Sequence, residues 1–224
     1  MDIDYFLKNR TKFIRYFYEK ATEPFISIIT AIEQEEEPYV PPYSEDPEPS
    51  FLEEWLEANT GIDTVGYTAL SMLSSSLQLF LKEWVHRLKT DHGMECQVNF
   101  KKKGWFNGYR KIFEEIGIPM NECPADLEII EQVALVRNRV QHPDEITILN
   151  VRYSESDLEK YPRPFFAQKH EIQLAITDKD GAISWWLKPS VVTTKEKVFQ
   201  AVSEVESLCV WLEEEYWKAR NAKP

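Results

Sequence analysis

Between Leu70 and Trp84 the apolar residues Leu70, Leu73, Leu77, Phe80, Leu81 and Trp84 recur at helical steps. That spacing draws one apolar stripe along an α-helix and does not fit the two-residue alternation of a strand. A stripe of this length must be covered by other helices, so it predicts a helical bundle. The rest of the chain repeats the signal. Phe6, Phe13 and Phe17 share a helix face, and Phe25, Ile28, Ile29 and Ile32 share another, with Thr22 and Pro24 read as a stop and restart between them. Ser50 and Glu53 form a capping-box pattern for a short helix around Trp55 and Leu56, ahead of the long helix expected after Gly61. Trp105, Tyr109, Ile112, Phe113 and Ile116 mark a helix closed by Gly117. Pro124, Asp126 and Glu128 open the next, whose stripe is Ile129, Val133, Val136 and Val140 and which Pro143 ends. A capping box at Thr193 and Glu196 leads the closing helix, with Val198, Val202, Val205, Leu208 and Leu212.

Two segments break this rhythm. The acidic, proline-rich stretch 34–50 reads as a solvated loop, with docking of a partner as the alternative role. Within an insert at 146–192, "HEIQLAIT", "DKDG" and "AISWWLK" read as strand, turn and strand. Trp185 and Trp186 would then point to opposite sides of the second strand. The expected architecture is one mostly helical domain over 1–224, with a small β-hairpin before the C-terminal helix.

Composition narrows the function. The chain is 43% hydrophobic with a formal net charge of -12, and its isoelectric point is about 4.9. This argues against broad electrostatic capture of nucleic acid or of an anionic membrane. The charge is uneven, however. Residues 33–54 hold nine acidic side chains and no basic one, whereas residues 82–111 hold eight basic and three acidic. Lys101, Lys102 and Lys103 are interleaved with aromatics in "FKKKGW", as in single-strand-binding surfaces, although a solvated loop has the same composition. Cys96, Cys123 and Cys209 are widely spaced, which fits a reduced, cytoplasmic protein without disulfides. The first residues read as an amphipathic helix and not a secretory leader, and no apolar run is long enough to span a bilayer. Seven scattered glycines form no phosphate loop, and no HExxH, CxxC or His/Cys cluster points to a metal. No cofactor is expected.

The chemistry-bearing stretch is "VRNRVQHPDE", residues 136–145. Asn138 and His142 are spaced i, i+4 on one helix face, and Arg137 lies at the margin of the valine stripe. A guanidinium grips phosphate oxygens, an imidazole moves protons near neutral pH, and an amide orients either of them. Those are the needs of RNA cleavage without a metal: a base takes the 2′-hydroxyl proton, and a cation stabilises the charge developing on phosphorus. On these residues the chain resembles the HEPN superfamily, whose signature is an arginine, a polar residue that is often asparagine, and a histidine separated from the arginine by four to six intervening residues, late in a helical bundle. The resemblance implies catalytic roles for Arg137, Asn138 and His142. It also implies a homodimer with a composite ribonuclease cleft, and a setting of toxin–antitoxin or antiviral defence in which an antitoxin is a further partner. It leaves the 146–192 insert unexplained, and Asp144 stands where one branch of the superfamily has a tyrosine. Two other pairs, Arg87 with His92 and Arg163 with His170, meet the loose spacing but are read as surface residues, and His86 as structural or solvent-facing. Two other readings stay open: a non-catalytic HEPN-like scaffold for a protein partner, and a helix end whose cations simply answer its dipole.

Overall fold

The computed structural model describes residues 2–45, 47–92, 104–142, 150–176 and 188–221. Among them are seven α-helices: α1 (Ile3–Glu33), α2 (Leu52–His92), α3 (Trp105–Glu115), α4 (Leu127–Gln141), α5 (Glu155–Lys160), α6 (Lys169–Ile176) and α7 (Lys195–Asn221). The protein is mostly helical, as the apolar stripes predict. No described helix is long and apolar enough to cross a membrane.

The chain divides into two compact units, residues 1–14, 70–138 and 196–224 in one, and 15–69 and 139–195 in the other. In the first unit the α2 stripe is fully covered: Leu70, Leu73 and Leu77 are inaccessible, and Trp84 is 1% exposed. The Trp84 ring lies 4.5 Å from that of Tyr216, and the Arg87 guanidinium stacks 5.5 Å above it. Val198, Val202, Val205, Leu208 and Leu212 of α7 are buried to the same degree. Each such side chain contributes about 1.5–3 kcal/mol on leaving water. Gly117 ends α3 as expected, at φ 91°, where a side chain would be strained. Its N–H reaches the Glu114 carbonyl, and the Ile118 N–H reaches that of Phe113, which together close the helix in a Schellman motif.

In the second unit, helical packing also holds an extended segment. Arg152 and Ser190 form an antiparallel bridge, flanked by Tyr153 N–H donating to Pro189 O and Val191 N–H to Val151 O. Buried carbonyls on this segment need donors. Tyr67 supplies one to Val191 O at 3.0 Å, and Tyr18 another to Thr193 O at 2.9 Å. Burial raises the Asp63 carboxyl above its ordinary 3.8. A raised value in the folded protein means that ionisation costs more there than in the unfolded chain. Asp63→Asn is therefore expected to stabilise the protein at pH 7. The gain should shrink as pH falls through the raised value and vanish below 3.8, where both states hold the proton. Urea titrations at pH 7 and about pH 3 check this.

Four expectations are corrected. Residues 170–176 are helical within α6, so the hairpin's first strand does not exist; its second, at 182–188 with Trp185 and Trp186, lies outside the described residues apart from Lys188. Apolar alternation over so few residues suits a short helix as well. Lys, Glu, Gln, Leu and Ala favour the helix here, with Glu171 at its positive end, although Leu174 is left 54% exposed. Thr22 and Pro24 do not interrupt α1, which runs through Pro24. The Thr22 hydroxyl back-bonds to Tyr18 O at 2.8 Å within the continuous helix. Gly61 likewise does not separate two helices; α2 passes through it unbroken. A Cβ at Gly61 would stand 2.5 Å from the Phe25 ring, so that glycine serves close packing and not a break. Finally, the buried face of α1 is Ile3, Leu7, Thr11, Ile14 and Tyr18, and Phe6 and Phe13 point outward.

Between α1 and α2 the acidic stretch forms no helix or strand among its described residues. It is anchored at its ends. Trp55 donates its indole N–H to Glu33 at 3.2 Å, and Tyr39 meets Phe51 edge to face.

Candidate active site

Helix α4 carries the Arg–Asn–His stretch. Its start is fixed by Asp126, whose carboxylate accepts from the N–H groups of Glu128 and Ile129 at 2.9 and 3.1 Å. Pro124 thus precedes the cap and is not the first helical residue. Asp126 is itself placed by its own N–H, which donates to Glu204 of α7. Ile129, Val133 and Val136 are buried, as the stripe predicts, and Val140 is half-buried.

Those buried valines set where the polar groups of the last turns lie. Arg137 is half-buried and Asn138 exposed. The Arg137 guanidinium donates from Nη1 to Asn138 Oδ1 at 2.9 Å. The amide oxygen therefore orients the arginine and leaves its remaining donors directed elsewhere. His142 follows the last residue of α4 and is exposed.

Arg139, two positions after Arg137, does something different. Its Nε donates to Asp157 at 2.9 Å, and one terminal nitrogen bonds Ser154 and lies 2.8 Å from the same carboxylate. Ser154 and Asp157 form the capping box of α5: Asp157 N–H donates to the Ser154 hydroxyl, and Ser154 N–H to the Asp157 carboxylate. Arg139 is a structural anchor that ties the end of α4 to the start of α5. The spacing Ser154-x-x-Asp157 is visible in the sequence, but its arginine partner lies 18 positions away. Asp157→Ala is expected to cost about 2 kcal/mol, because it removes a cap and leaves Arg139 without its carboxylate. A shift of the urea midpoint with an unchanged slope is the readout.

A polar cluster that the periodicity does not reveal lies in the first unit, on α3 and α4. Asn107 donates to Glu131 and accepts from Arg110 at 3.3 Å. Gln132, wholly buried, donates to Glu128 at 3.3 Å. The sequence signals are the i, i+3 spacing of Asn107 and Arg110 and the i, i+4 spacing of Glu128 and Gln132.

Lys101, Lys102 and Lys103 lie outside the described residues. Arg87 is half-buried, paired with Glu83 at 3.6 Å and stacked on Trp84, so it serves α2 itself. Arg163, His170 and His86 are exposed. Burial raises the Cys123 and Cys209 thiols above their usual range, and both are free. Among the described residues no group of three or more His, Cys, Asp or Glu side chains is arranged to hold a metal. No protein-family model, curated protein or solved structure shows a significant match to the chain.

Proposed function

We propose that the protein is a HEPN-like endoribonuclease of the cytoplasm that cleaves RNA without a metal. His142 takes the proton from a ribose 2′-hydroxyl, and the freed oxygen attacks the adjacent phosphorus. The bond to the 5′-oxygen breaks, that oxygen takes a proton from a second imidazole, and a 2′,3′-cyclic phosphate remains. Arg137 holds the non-bridging oxygens as charge builds on them. Asn138 keeps the guanidinium in position. A homodimer supplies the second imidazole by bringing two copies of the α4 end together, and Lys101 to Lys103 guide the strand. Control by an antitoxin, in a toxin–antitoxin or antiviral setting, belongs to the same reading.

The observation that carries it is the 2.9 Å bond from Arg137 to Asn138 on accessible side chains. A helix-end arginine that served only its own dipole would be expected to fold back on the terminal carbonyls. Here Arg139 is the arginine with the structural duty, and Arg137 is held by a neighbour that leaves it usable. The test is incubation of purified protein with mixed cellular RNA in the presence of a chelator. Fragments ending in cyclic phosphate are expected. Intact RNA, with folding verified, rejects the nuclease and leaves an interaction module.

A further inference from the structure

The outward face of α1 combines positive charge with exposed aromatic rings. From Tyr5 to Ile14 the helix bears Lys8, Arg10 and Lys12 and no acidic residue, in a protein of net charge -12. Tyr5, Phe6 and Phe13 are 59%, 51% and 53% exposed on that stretch, although aromatic rings of this size are normally drawn into a core. The opposite side, with Ile3, Leu7 and Ile14, packs inward, and these rings keep about half of their surface in solvent. Lys8 is held by Asp4 at 2.5 Å, while Arg10 and Lys12 are exposed. Beside the helix runs a cavity of about 290 Å³, lined by Phe6, Arg10, Leu79, Phe80 and Glu83 among others. Leu79 adds half its surface to the apolar floor.

We propose that this face binds single-stranded RNA, with Tyr5, Phe6 and Phe13 stacking on bases and Arg10 and Lys12 meeting phosphates. Rings spaced along a cationic track are what a flexible strand with exposed base faces requires. Phe6 and Phe13 are about 10 Å apart along the axis, enough for each to take a separate base. Two other occupants fit worse. Isologous pairing of two copies would set Arg10 and Lys12 against their own counterparts. A bilayer would set an extended anionic plane beside a protein of net charge -12, whereas a single strand need touch only this helix. The proposal involves none of the α4 residues and does not rest on their chemistry.

The test is fluorescence anisotropy of the full chain with a labelled, 2′-O-methylated oligouridine of about 12 nucleotides, which the proposed chemistry cannot cut. Phe6→Ala with Phe13→Ala is expected to weaken binding roughly tenfold or more. Arg10→Gln with Lys12→Gln should lower the slope of log K against log salt by about 1.4. Arg137→Ala with His142→Ala should bind as the wild type does, which separates this surface from the cleavage reading. Because all four α1 positions are exposed, unchanged circular dichroism is expected and is checked for each variant. Equal affinity in the ring and charge variants overturns the proposal. So does ring-dependent binding to phosphatidylserine vesicles without binding to the oligomer, or ring-dependent dimerisation without it.

Discussion

His142→Ala is expected to lower RNA cleavage by about 10²- to 10⁴-fold, the usual contribution of a positioned general acid or base. Arg137→Ala should cause a loss of similar size through the charge it no longer balances. Neither change should alter the melting temperature appreciably, because His142 is exposed and the Arg137 contact is to an exposed neighbour. Asn138→Ala is the informative companion. It frees the guanidinium without removing it, so its loss should be smaller than that of Arg137→Ala. Arg139→Ala should show the reverse pattern, reduced stability with whatever cutting the folded fraction retains. Initial rates on a defined RNA, with the folded fraction measured in parallel, separate these outcomes. Equal rates in wild type, Arg137→Ala and His142→Ala would remove both residues from the chemistry.

The second large effect is expected at Gly66, which has no part in the proposed chemistry. A Cβ there would lie 1.9 Å from Thr193 Oγ1 and 2.4 Å from its Cβ. Thr193 has little room to yield. It is 1% exposed, its carbonyl accepts from Tyr18, and its hydroxyl donates to Asp63 O at 3.5 Å. Gly66→Val should therefore cost about 3 kcal/mol, the upper part of the range for overpacking a tight contact. Thr193→Ala removes the nearest atom and should recover part of that loss when combined with Gly66→Val. The two changes should then be non-additive by at least about 1 kcal/mol, as expected for groups in direct contact. Chemical denaturation of the four proteins of the cycle measures it. Additive costs would show that helix and segment can separate without penalty.

These results also show how far the residues alone can be read. The α2 and α7 stripes were legible because nearly every apolar position on them is buried, so one period leaves one solution. Helix α1 carries two apolar stripes, and periodicity cannot choose between them. Ile3, Leu7, Ile14 and Tyr18 face inward and Phe6 and Phe13 outward because of what packs against the helix, which no local pattern records. The pairing of 151–153 with 189–191 was invisible for a related reason: it joins segments distant along the chain, and the carbonyls of Val191 and Thr193 beside it are served by tyrosines of α2 and α1. At α6 the period-two pattern is too short to outweigh helix propensity. At the candidate site, the Arg–Asn–His spacing could be read, but the division of labour between Arg137 and Arg139 could not. It depends on Asp157, whose role emerges only once α5 has formed.

Arg139 gives the 146–192 insert a consequence of its own. A helix terminus frays unless something clamps it, and here the clamp is a carboxylate on another element. Whatever loosens residues 154–157, whether phosphorylation of Ser154 or Ser156 or a competing ligand, would release the final turn of α4 and raise the hydrogen-exchange rate of its amides. Residues 154–157 would thereby act as a dial on the order of the very turn that presents Arg137 and Asn138.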